Sequence, residues 1–395
     1  MLVVGALFAA SCTSSSPDAQ ESATEVSSAT STTPTPVGDG LPEGPSALRG
    51  DRFATEFPEP LIDPLNIIPG GPPPDGIPPI DNPQFVTVDE ADEWLSDSEP
   101  VLVVDVDGDV RAYPVQILMW HEIVNDTVGG VPLAITYCPL CNSAITFVRR
   151  VRGVETTFGT SGSLYLANLV MYDRATETLW NQLDGRAVVG LLAGEELEQI
   201  PGPMVGWDDV KGAYPDIQVL DRNRTGSERS YGTNPYTGLD NPDGDPFLFT
   251  RDVDIRAKAM QRIVALEADG KAFAWTLDAI SSDSAAAVAT TATINETPAV
   301  FFWKTGQGSA LDTSSIADGR EVGTVSLFES NVDGQALTFE SDGEAFIDSE
   351  TGSTWNIAGT ATDGPLAGTQ LTPLTFVRTF WFSWSTFRPD TDLVG

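Results

Sequence analysis

The sequence contains an internal repeat, which restricts the chain to folds built from two related halves. Three groups of residues in the first half recur, in the same order, in the second half. One such match would be chance, but three in the same order indicate a duplication. We therefore expect one copy at about residues 100–205 and a second at about 262–395. The matched groups are 107–113 with 269–273, 130–144 with 296–310, and 157–181 with 338–356.

Apolar patterns predict that the first copy is rich in strands. Asp107-Gly108 predicts a hairpin turn between strands at 101–105 and 110–113. Pro114 suits the first turn of a helix, which we expect to end at Gly129-Gly130 and to carry an apolar stripe of Ile117, Leu118, His121 and Val124. The expected fold class is a β-rich α+β fold in two related halves. Further strands are expected at 131–137, 144–150, 154–158 and 169–172.

The two copies differ where chemistry is expected. Lys304 and Gln307 of the second copy stand at the positions of Cys138 and Cys141 in the first. A Ser/Ala-rich stretch, 281–292, replaces the helix that carries His121. The second copy is therefore expected to keep the scaffold and to lack the Cys/His site. The aromatic residues between Phe380 and Phe387 alternate as in a strand, and we expect a last core strand there rather than a carbohydrate-stacking face.

The N-terminal residues predict export and anchoring. Leu2 to Ala10 is an apolar run of signal-peptide length that leads into Cys12, which is typical of a bacterial lipoprotein signal. Basic residues are missing before this run, so the true start is expected upstream of Met1. We expect a protein lipid-anchored outside the cytoplasm through Cys12, the alternative being a secreted protein. The expected segments are a signal (1–12), a disordered Ser/Thr/Pro tether (13–47), an extension that packs on the body (48–99), repeat 1 with the site (100–205), a connector (206–261) and a degenerate repeat 2 (262–395).

The charge of the chain excludes two classes of partner. With 21 basic and 57 acidic residues, the net charge is −36. Such a chain repels nucleic acid and anionic membrane surfaces, so we expect no nucleic-acid partner and contact with the membrane only through the lipid anchor. The excess acidity is best explained by solubility at a cell surface or in a salty medium.

The residue types that ligate metals or carry redox chemistry are concentrated in one segment. The chain has a single histidine, His121, and two cysteines beyond Cys12, namely Cys138 and Cys141 in a C-P-L-C motif. Two thiolates and one imidazole suit copper or zinc, which makes a metal centre of His121, Cys138 and Cys141 the leading hypothesis, with Met171 as a further candidate ligand. Glu122 and Asn125 are candidates to orient the imidazole.

Other interpretations of the same residues stay open. The C-x-x-C pair is equally suited to a thiol-redox centre or a structural disulfide outside the cytoplasm. A third reading makes Cys138 or Cys141 a nucleophile, with His121 as base and Asn125 or Asp126 as its orienting partner. Covalent haem is disfavoured because Asn142 follows Cys141. Residues 159–162, Gly-Thr-Ser-Gly, predict a flexible loop beside the cysteines, with Ser161 and Asn168 as substrate contacts.

Several motifs resemble a known family. The segments 76–86, 111–147, 158–180 and 351–356, with WHEIVND and YCPLC at their centre, resemble the DUF3179 family of prokaryotic exported proteins, over roughly residues 60–390. The resemblance implies that His121, Cys138 and Cys141 belong to a family motif, and it implies no reaction. The overall expectation is an extracytoplasmic protein with a metal or thiol-redox centre. The alternative is a non-catalytic surface binding module with a structural disulfide.

Overall fold

The computed structural model describes residues 40–281 and 285–395. The predicted signal with Cys12, and the tether as far as residue 39, lie outside these residues. Three helices and sixteen strands precede residue 221 in the described part of the chain. The helices are α1 (Val88–Asp92), α2 (Val115–His121) and α3 (Trp207–Ala213). The strands are β1 (Ile67–Pro69), β2 (Phe85–Val86), β3 (Pro100–Val106), β4 (Asp109–Pro114), β5 (Ile123–Val128), β6 (Val131–Cys138), β7 (Ser143–Val148), β8 (Arg150–Val151), β9 (Val154–Glu155), β10 (Phe158–Tyr165), β11 (Asn168–Asp173), β12 (Leu179–Asn181), β13 (Ala187–Val189), β14 (Gln199–Ile200), β15 (Met204–Gly206) and β16 (Gln218–Leu220).

The remaining elements begin at residue 262, after a long segment with only a short 3₁₀ turn, Arg222–Arg224. The helices are α4 (Leu277–Ile280) and α5 (Trp381–Phe387). The strands are β17 (Arg262–Ala268), β18 (Lys271–Thr276), β19 (Ala287–Ile294), β20 (Thr297–Lys304), β21 (Thr324–Glu329), β22 (Asn331–Val332), β23 (Gln335–Ala336), β24 (Phe339–Ser341), β25 (Phe346–Asp348), β26 (Thr354–Trp355), β27 (Ala361–Asp363), β28 (Val377–Phe380) and β29 (Asp392–Val394). The fold is therefore β-rich, with few and short helices, as expected.

The same connectivity occurs in both halves. The hairpin β3–β4 is flanked by β15, antiparallel to β3, and by β16, parallel to β4, with α3 between them. The hairpin β17–β18 is flanked in the same way by β28 and β29, with α5 between them. The antiparallel meanders β5–β6–β7 and β19–β20–β21 correspond, as do β10 to β13 and β24 to β27.

A buried aspartate forms the same contacts in each half. Asp173 accepts hydrogen bonds from the backbone N–H of Thr176 (2.7 Å) and from Nε1 of Trp180 (3.0 Å). Asp348 accepts the equivalent bonds from Thr351 (2.6 Å) and from Trp355 (2.9 Å). Each aspartate thereby fixes a turn and holds the indole of a core tryptophan. The motif is architectural in both halves.

The helix that carries His121 is shorter than predicted. It ends at His121, because Glu122 adopts a left-handed conformation (φ 58°) and its N–H closes the last turn on the Leu118 carbonyl. Residues 123–128, which we expected in the helix, form β5 and pair with β6. The β-branched residues of this stretch favour a strand. The hydrogen bonds that they form with β6 stabilise the strand more than the apolar stripe that included Val124 would stabilise a helix.

Two other segments differ from expectation. Residues 159–162 lie within β10, whose register with β11 shifts between Thr160 and Ser163, so the predicted loop is a β-bulge. Residues 381–387 form α5 rather than a strand, although Trp381, Phe382 and Trp384 are buried as predicted. They pack into the same core cluster as Cys138 and Cys141. The C-terminal helix thus covers the site-bearing half.

The N-terminal residues of the described region are part of this body. Ala47, the last residue of the expected tether, is buried. β1 pairs with β10 and β2 pairs with β16. In the described part of the chain, no helix is long and apolar enough to cross a bilayer.

Candidate functional site

Cys138 and Cys141 lie at the tip of the β6–β7 hairpin. Cys138 is the last residue of β6 and pairs with Ser143. Its carbonyl accepts a hydrogen bond from the N–H of Cys141 (3.3 Å), which makes residues 138–141 a β-turn with Pro139 at its second position. Proline favours that position because its φ is fixed. Asn142 then takes a left-handed conformation (φ 51°) that returns the chain to β7. The turn places both sulfur atoms on one side of the hairpin.

Both cysteines are free thiols and both are fully buried. The Sγ atom of Cys141 lies 3.4 Å from the carbonyl oxygen of Ala167, and that of Cys138 lies 4.0 Å from the same oxygen. Asn168 donates a hydrogen bond from Nδ2 to Sγ of Cys141 (3.3 Å). The β10–β11 turn therefore supplies both an acceptor and a donor to the thiols.

This β10–β11 turn has an unusual backbone. Its central residues, Leu166 and Ala167, both have positive φ values, 53° and 61°. A two-residue hairpin turn of this kind normally uses glycine or asparagine, because a Cβ atom is unfavourable in that conformation. Such strain persists only where the surroundings impose it, and it is frequent at functional sites. Here it directs the Ala167 carbonyl and the Asn168 amide at the two sulfur atoms.

The two thiols differ in acidity. Burial raises the pKa of Cys138 well above its usual value, and the neighbouring Cys141 raises it further. Burial also acts to raise the pKa of Cys141, but the neighbouring Cys138 thiol, Ser383 and the Asn168 amide outweigh it, and the pKa of Cys141 lies below its usual value. Cys141 is therefore the thiol that ionises first, and Cys138 holds its proton.

Glu122 is a buried titratable group whose carboxyl interacts electrostatically with Cys138. Burial together with the Cys138 charge raises the pKa of its carboxyl to about 8. Its carbonyl accepts a hydrogen bond from the N–H of Tyr137, next to Cys138 (2.8 Å). Burial raises the pKa of Tyr236, and Glu122 and Cys138 raise it further. Glu122 is suited to accept a proton from Cys138.

His121 faces away from the cysteines. Its Nδ1 atom lies 2.7 Å from the carbonyl oxygen of Pro78, and its Nε2 atom lies 2.6 Å from the hydroxyl of Tyr231. The carbonyl only accepts, so Nδ1 of the neutral ring carries the proton and Nε2 accepts from Tyr231. Burial lowers the pKa of His121, which favours this neutral form. Both ring nitrogens are thus engaged in holding the N-terminal extension and the long connecting segment to α2.

The predicted three-ligand group of His121, Cys138 and Cys141 is not assembled. Across residues 40–281 and 285–395, no three His, Cys, Asp or Glu side chains come together as a metal-binding group. The helix ends at His121, whose two ring nitrogens are both engaged by groups other than the cysteines. Glu122, one residue on, is buried, and its carboxyl interacts electrostatically with Cys138.

The other predicted site residues divide into two groups. Asn168 does contact Cys141, and Met171 lies in the core cluster that contains both cysteines. Asn125 instead bonds to the carbonyl and the N–H of Phe158, each at 2.8 Å, and so ties β5 to β10. The Ser161 hydroxyl bonds to the Val170 carbonyl within the β-bulge. Asp126 is paired with Arg111 (2.8 Å). These last three are structural here.

The sequence did not indicate the groups that cover the thiols. The Cys141 carbonyl accepts hydrogen bonds from the Thr379 hydroxyl (2.8 Å) and from the Phe380 N–H (3.1 Å). Ser383, on α5, acts to lower the pKa of the Cys141 thiol. Tyr236, whose pKa burial raises and Cys138 raises further, comes from the irregular connecting segment. All are far from the motif in sequence, and no local pattern marks them.

Fold and site together define a β-rich α+β protein with a buried C-x-x-C dithiol at a hairpin tip. Residues 74–391 match the family described as "protein of unknown function (DUF3179)", and the chain belongs to this family. Neither the curated proteins nor the solved structures contain a match to this chain.

Proposed function

We propose that Cys138 and Cys141 form a redox-active dithiol, oxidised reversibly to a disulfide, in a protein that is lipid-anchored outside the cytoplasm. The observation that carries the proposal is the pair of adjacent free thiols, of unequal acidity, with the Asn168 amide on Cys141. Residues i and i+3 of a β-turn have Cα atoms within about 7 Å, which is compatible with a disulfide. The hairpin can therefore close the bond without refolding.

The oxidant that this chemistry takes is a low-molecular-weight disulfide. The Cys141 thiolate attacks one sulfur of that disulfide, forming a mixed disulfide and releasing one thiolate, which takes up a proton. Cys138 transfers its proton to the Glu122 carboxylate and attacks Cys141, which releases the second thiolate of the oxidant. The proton on Glu122 then passes to that thiolate. The protein loses two hydrogens and the oxidant gains two.

The role of Glu122 in this sequence is to accept a proton from a thiol that does not readily ionise. A general base acts best when its pKa lies near the working pH, and the pKa of Glu122 is about 8. In thiol–disulfide exchange, the thiolate is the attacking species. The low acidity of Cys138 thus makes a base necessary, and we assign that role to Glu122, whose carboxyl interacts electrostatically with Cys138.

Single-cysteine variants test the proposal. We expect Cys138→Ser, treated with oxidised glutathione, to hold a stable mixed disulfide on Cys141, because no second thiol resolves it. Cys141→Ser should react more slowly, since Cys138 ionises less readily. Intact-protein mass spectrometry gives both results. The proposal is wrong if neither variant reacts measurably with the oxidant under conditions in which both stay folded.

Metal binding by the same thiols is the second candidate function. Two adjacent thiols, one with a lowered pKa, are soft ligands suited to copper or zinc. With both nitrogens of His121 occupied, two sulfurs alone would hold the ion. Elemental analysis of protein exported to a periplasm, beside a Cys138→Ser/Cys141→Ser variant, separates the candidates. Near-stoichiometric metal that disappears in the variant favours this function, and metal-free protein with intact thiols favours the redox function.

We also propose that the anchor is Cys12 and that the two halves arose by duplication. The proposal of an anchor rests on the N-terminal sequence alone. Radiolabelled palmitate that labels the wild-type chain but not the Cys12→Ala variant would support it, whereas label in both would contradict it.

The duplication is supported by the shared connectivity and by the paired Asp173 and Asp348 motifs. Superposition of the two halves is its test, and a failure of β3–β4 and β17–β18 to superpose together with their meanders would contradict it.

A further inference from the structure

A pocket of about 210 Å³ lies where the two halves of the body meet. Val205 of β15 and Tyr214, just after α3, line it from the first half. Ser326 and Phe328 of β21 line it from the second half, together with Phe376 just before β28. Most of the lining is apolar. None of the residues that line it belongs to the dithiol site.

Ser326 provides a buried, unpartnered polar group to this pocket. Its residue surface is 2% exposed, and its hydroxyl has no hydrogen-bond partner in the described part of the chain. Side chains at alternate positions of a strand point to the same face. Thr324, two residues earlier, bonds to the Gly206 N–H and to Asp209, and Phe328, two residues later, lines the pocket. The Ser326 hydroxyl is therefore directed toward the first half, into the pocket.

A buried hydroxyl without a partner is unfavourable by about 1–3 kcal/mol, so a native protein normally satisfies it. Apolar side chains, among them Val205, Leu327 and Phe376, make up most of the pocket wall. A ligand that brings its own oxygen atom would satisfy the hydroxyl and fill the apolar space at the same time. Apolar cavities of about 150 Å³ bind benzene, so this pocket has room for one aromatic ring with a small substituent.

The charge around the pocket restricts the ligand further. Asp105 and Asp209 are the charged residues that line it, and no lysine, arginine or histidine does so in the described residues. Asp209 is already paired with Lys304 (2.8 Å) and bonded to Thr324 (2.9 Å). An anion would meet the exposed carboxylate of Asp105 without a compensating cation. A neutral ligand is therefore favoured.

We propose that this pocket binds a small neutral aromatic alcohol or ketone, with its ring against Tyr214, Phe328 and Phe376 and its oxygen on the Ser326 hydroxyl. This site is separate from the dithiol, and the proposal does not depend on the redox function.

Titration calorimetry with three probes on the full chain tests the proposal. The probes are p-cresol, toluene, which lacks the hydroxyl, and benzoate, which is anionic. We expect p-cresol to bind about tenfold more tightly than toluene, the value of one hydrogen bond of roughly 1.4 kcal/mol. Benzoate should not bind measurably. Absence of p-cresol binding, or tighter binding of benzoate, would overturn the proposal.

Three variants assign the binding to this pocket. Ser326→Ala should fold normally, since it removes an unpartnered group, and should bind p-cresol no better than toluene. Ala213→Phe, which places a ring in the pocket, should abolish binding of both. Ser385→Ala removes another buried, unpartnered hydroxyl, outside the pocket, and should bind as the wild type does. If Ala213→Phe does not fold, the ratio of p-cresol affinity to toluene affinity in Ser326→Ala still tests the proposal. A ratio equal to that of the wild type would contradict it.

Discussion

Asn168 donates a hydrogen bond from its Nδ2 atom to the Sγ atom of Cys141, at 3.3 Å, across the space between the β10–β11 turn and the β6–β7 turn. This contact joins two hairpins and lowers the pKa of the thiol it touches. It also distinguishes Cys141 from Cys138, whose pKa is raised. The order of events proposed for the dithiol depends on this difference.

Replacement of Asn168 by leucine should therefore make Cys141 less acidic. The Asn168 amide is one of the groups that lower the pKa of this thiol, so its loss should raise that pKa. The measurement is the pH dependence of mixed-disulfide formation in a Cys138→Ser background. The matched control is Asn125→Leu, which removes a buried amide of the neighbouring hairpin without contact to sulfur. Asn125→Leu should leave the pH dependence of mixed-disulfide formation unchanged. If Asn168→Leu also leaves it unchanged, the Asn168 amide does not lower the pKa of Cys141.

Glu122→Gln should remove a pH dependence of stability. The folded-state pKa of Glu122 is about 8 and the ordinary value is 4.5, so the native state keeps a proton that the unfolded state loses between these pH values. Wild-type stability then falls as pH rises from about 4.5 to 8, by roughly 4 kcal/mol at most. Glutamine does not titrate. Urea unfolding at pH 5 and pH 9 should show a larger loss in the wild type than in the variant, and equal losses would contradict the burial of an uncompensated carboxyl.

His121→Phe should lower stability but spare the thiols. The variant loses the bonds to Pro78 and Tyr231, and we expect the free energy of unfolding to fall by about 2–3 kcal/mol. Because burial lowers the pKa of His121, the wild type also loses stability as pH falls below 6.5, and the variant lacks this dependence. Thiol content and reactivity should match the wild type. A loss of bound metal in His121→Phe would instead identify the histidine as a ligand.

Asp173→Ala and Asp348→Ala form a matched pair that tests the architectural reading of the repeated motif. Each leaves a buried tryptophan Nε1 without its acceptor and opens a turn, which should cost about 2–4 kcal/mol of unfolding free energy. Chemical denaturation of both variants gives the comparison. If either substitution leaves the free energy of unfolding unchanged, the motif does not stabilise that half.

Local patterns in the sequence predicted the hairpins and the strand that leads into the C-x-x-C motif. Asp107-Gly108 marked the β3–β4 turn, and the apolar run at 131–137 marked β6, which leads into Cys138. The helix end could not be placed, because the change from helix to strand occurs at Glu122, a residue with no stop signal, through a left-handed conformation that tertiary pairing imposes. The helix therefore ends at His121 and not at Gly129-Gly130, and residues 123–128 pair with β6 as a strand.

The cover of the site could not be predicted for a different reason. Thr379, Phe380 and Ser383 reach Cys141 across more than half of the described chain, and α5 was expected as a strand because its aromatic residues alternate. A helix of seven residues has too little length to establish a period of 3.6. Contacts of this kind depend on how the two halves pack, which local periodicity does not encode.

The most direct test of the account is a redox titration of the full chain in glutathione buffers, with free thiols counted after denaturation. The account predicts one disulfide, Cys138–Cys141, that forms and is reduced again with a midpoint between about −120 and −270 mV, the range of redox-active dithiols. Thiols that stay reduced in every buffer, or a disulfide that resists reduction below about −300 mV as structural ones do, would contradict it.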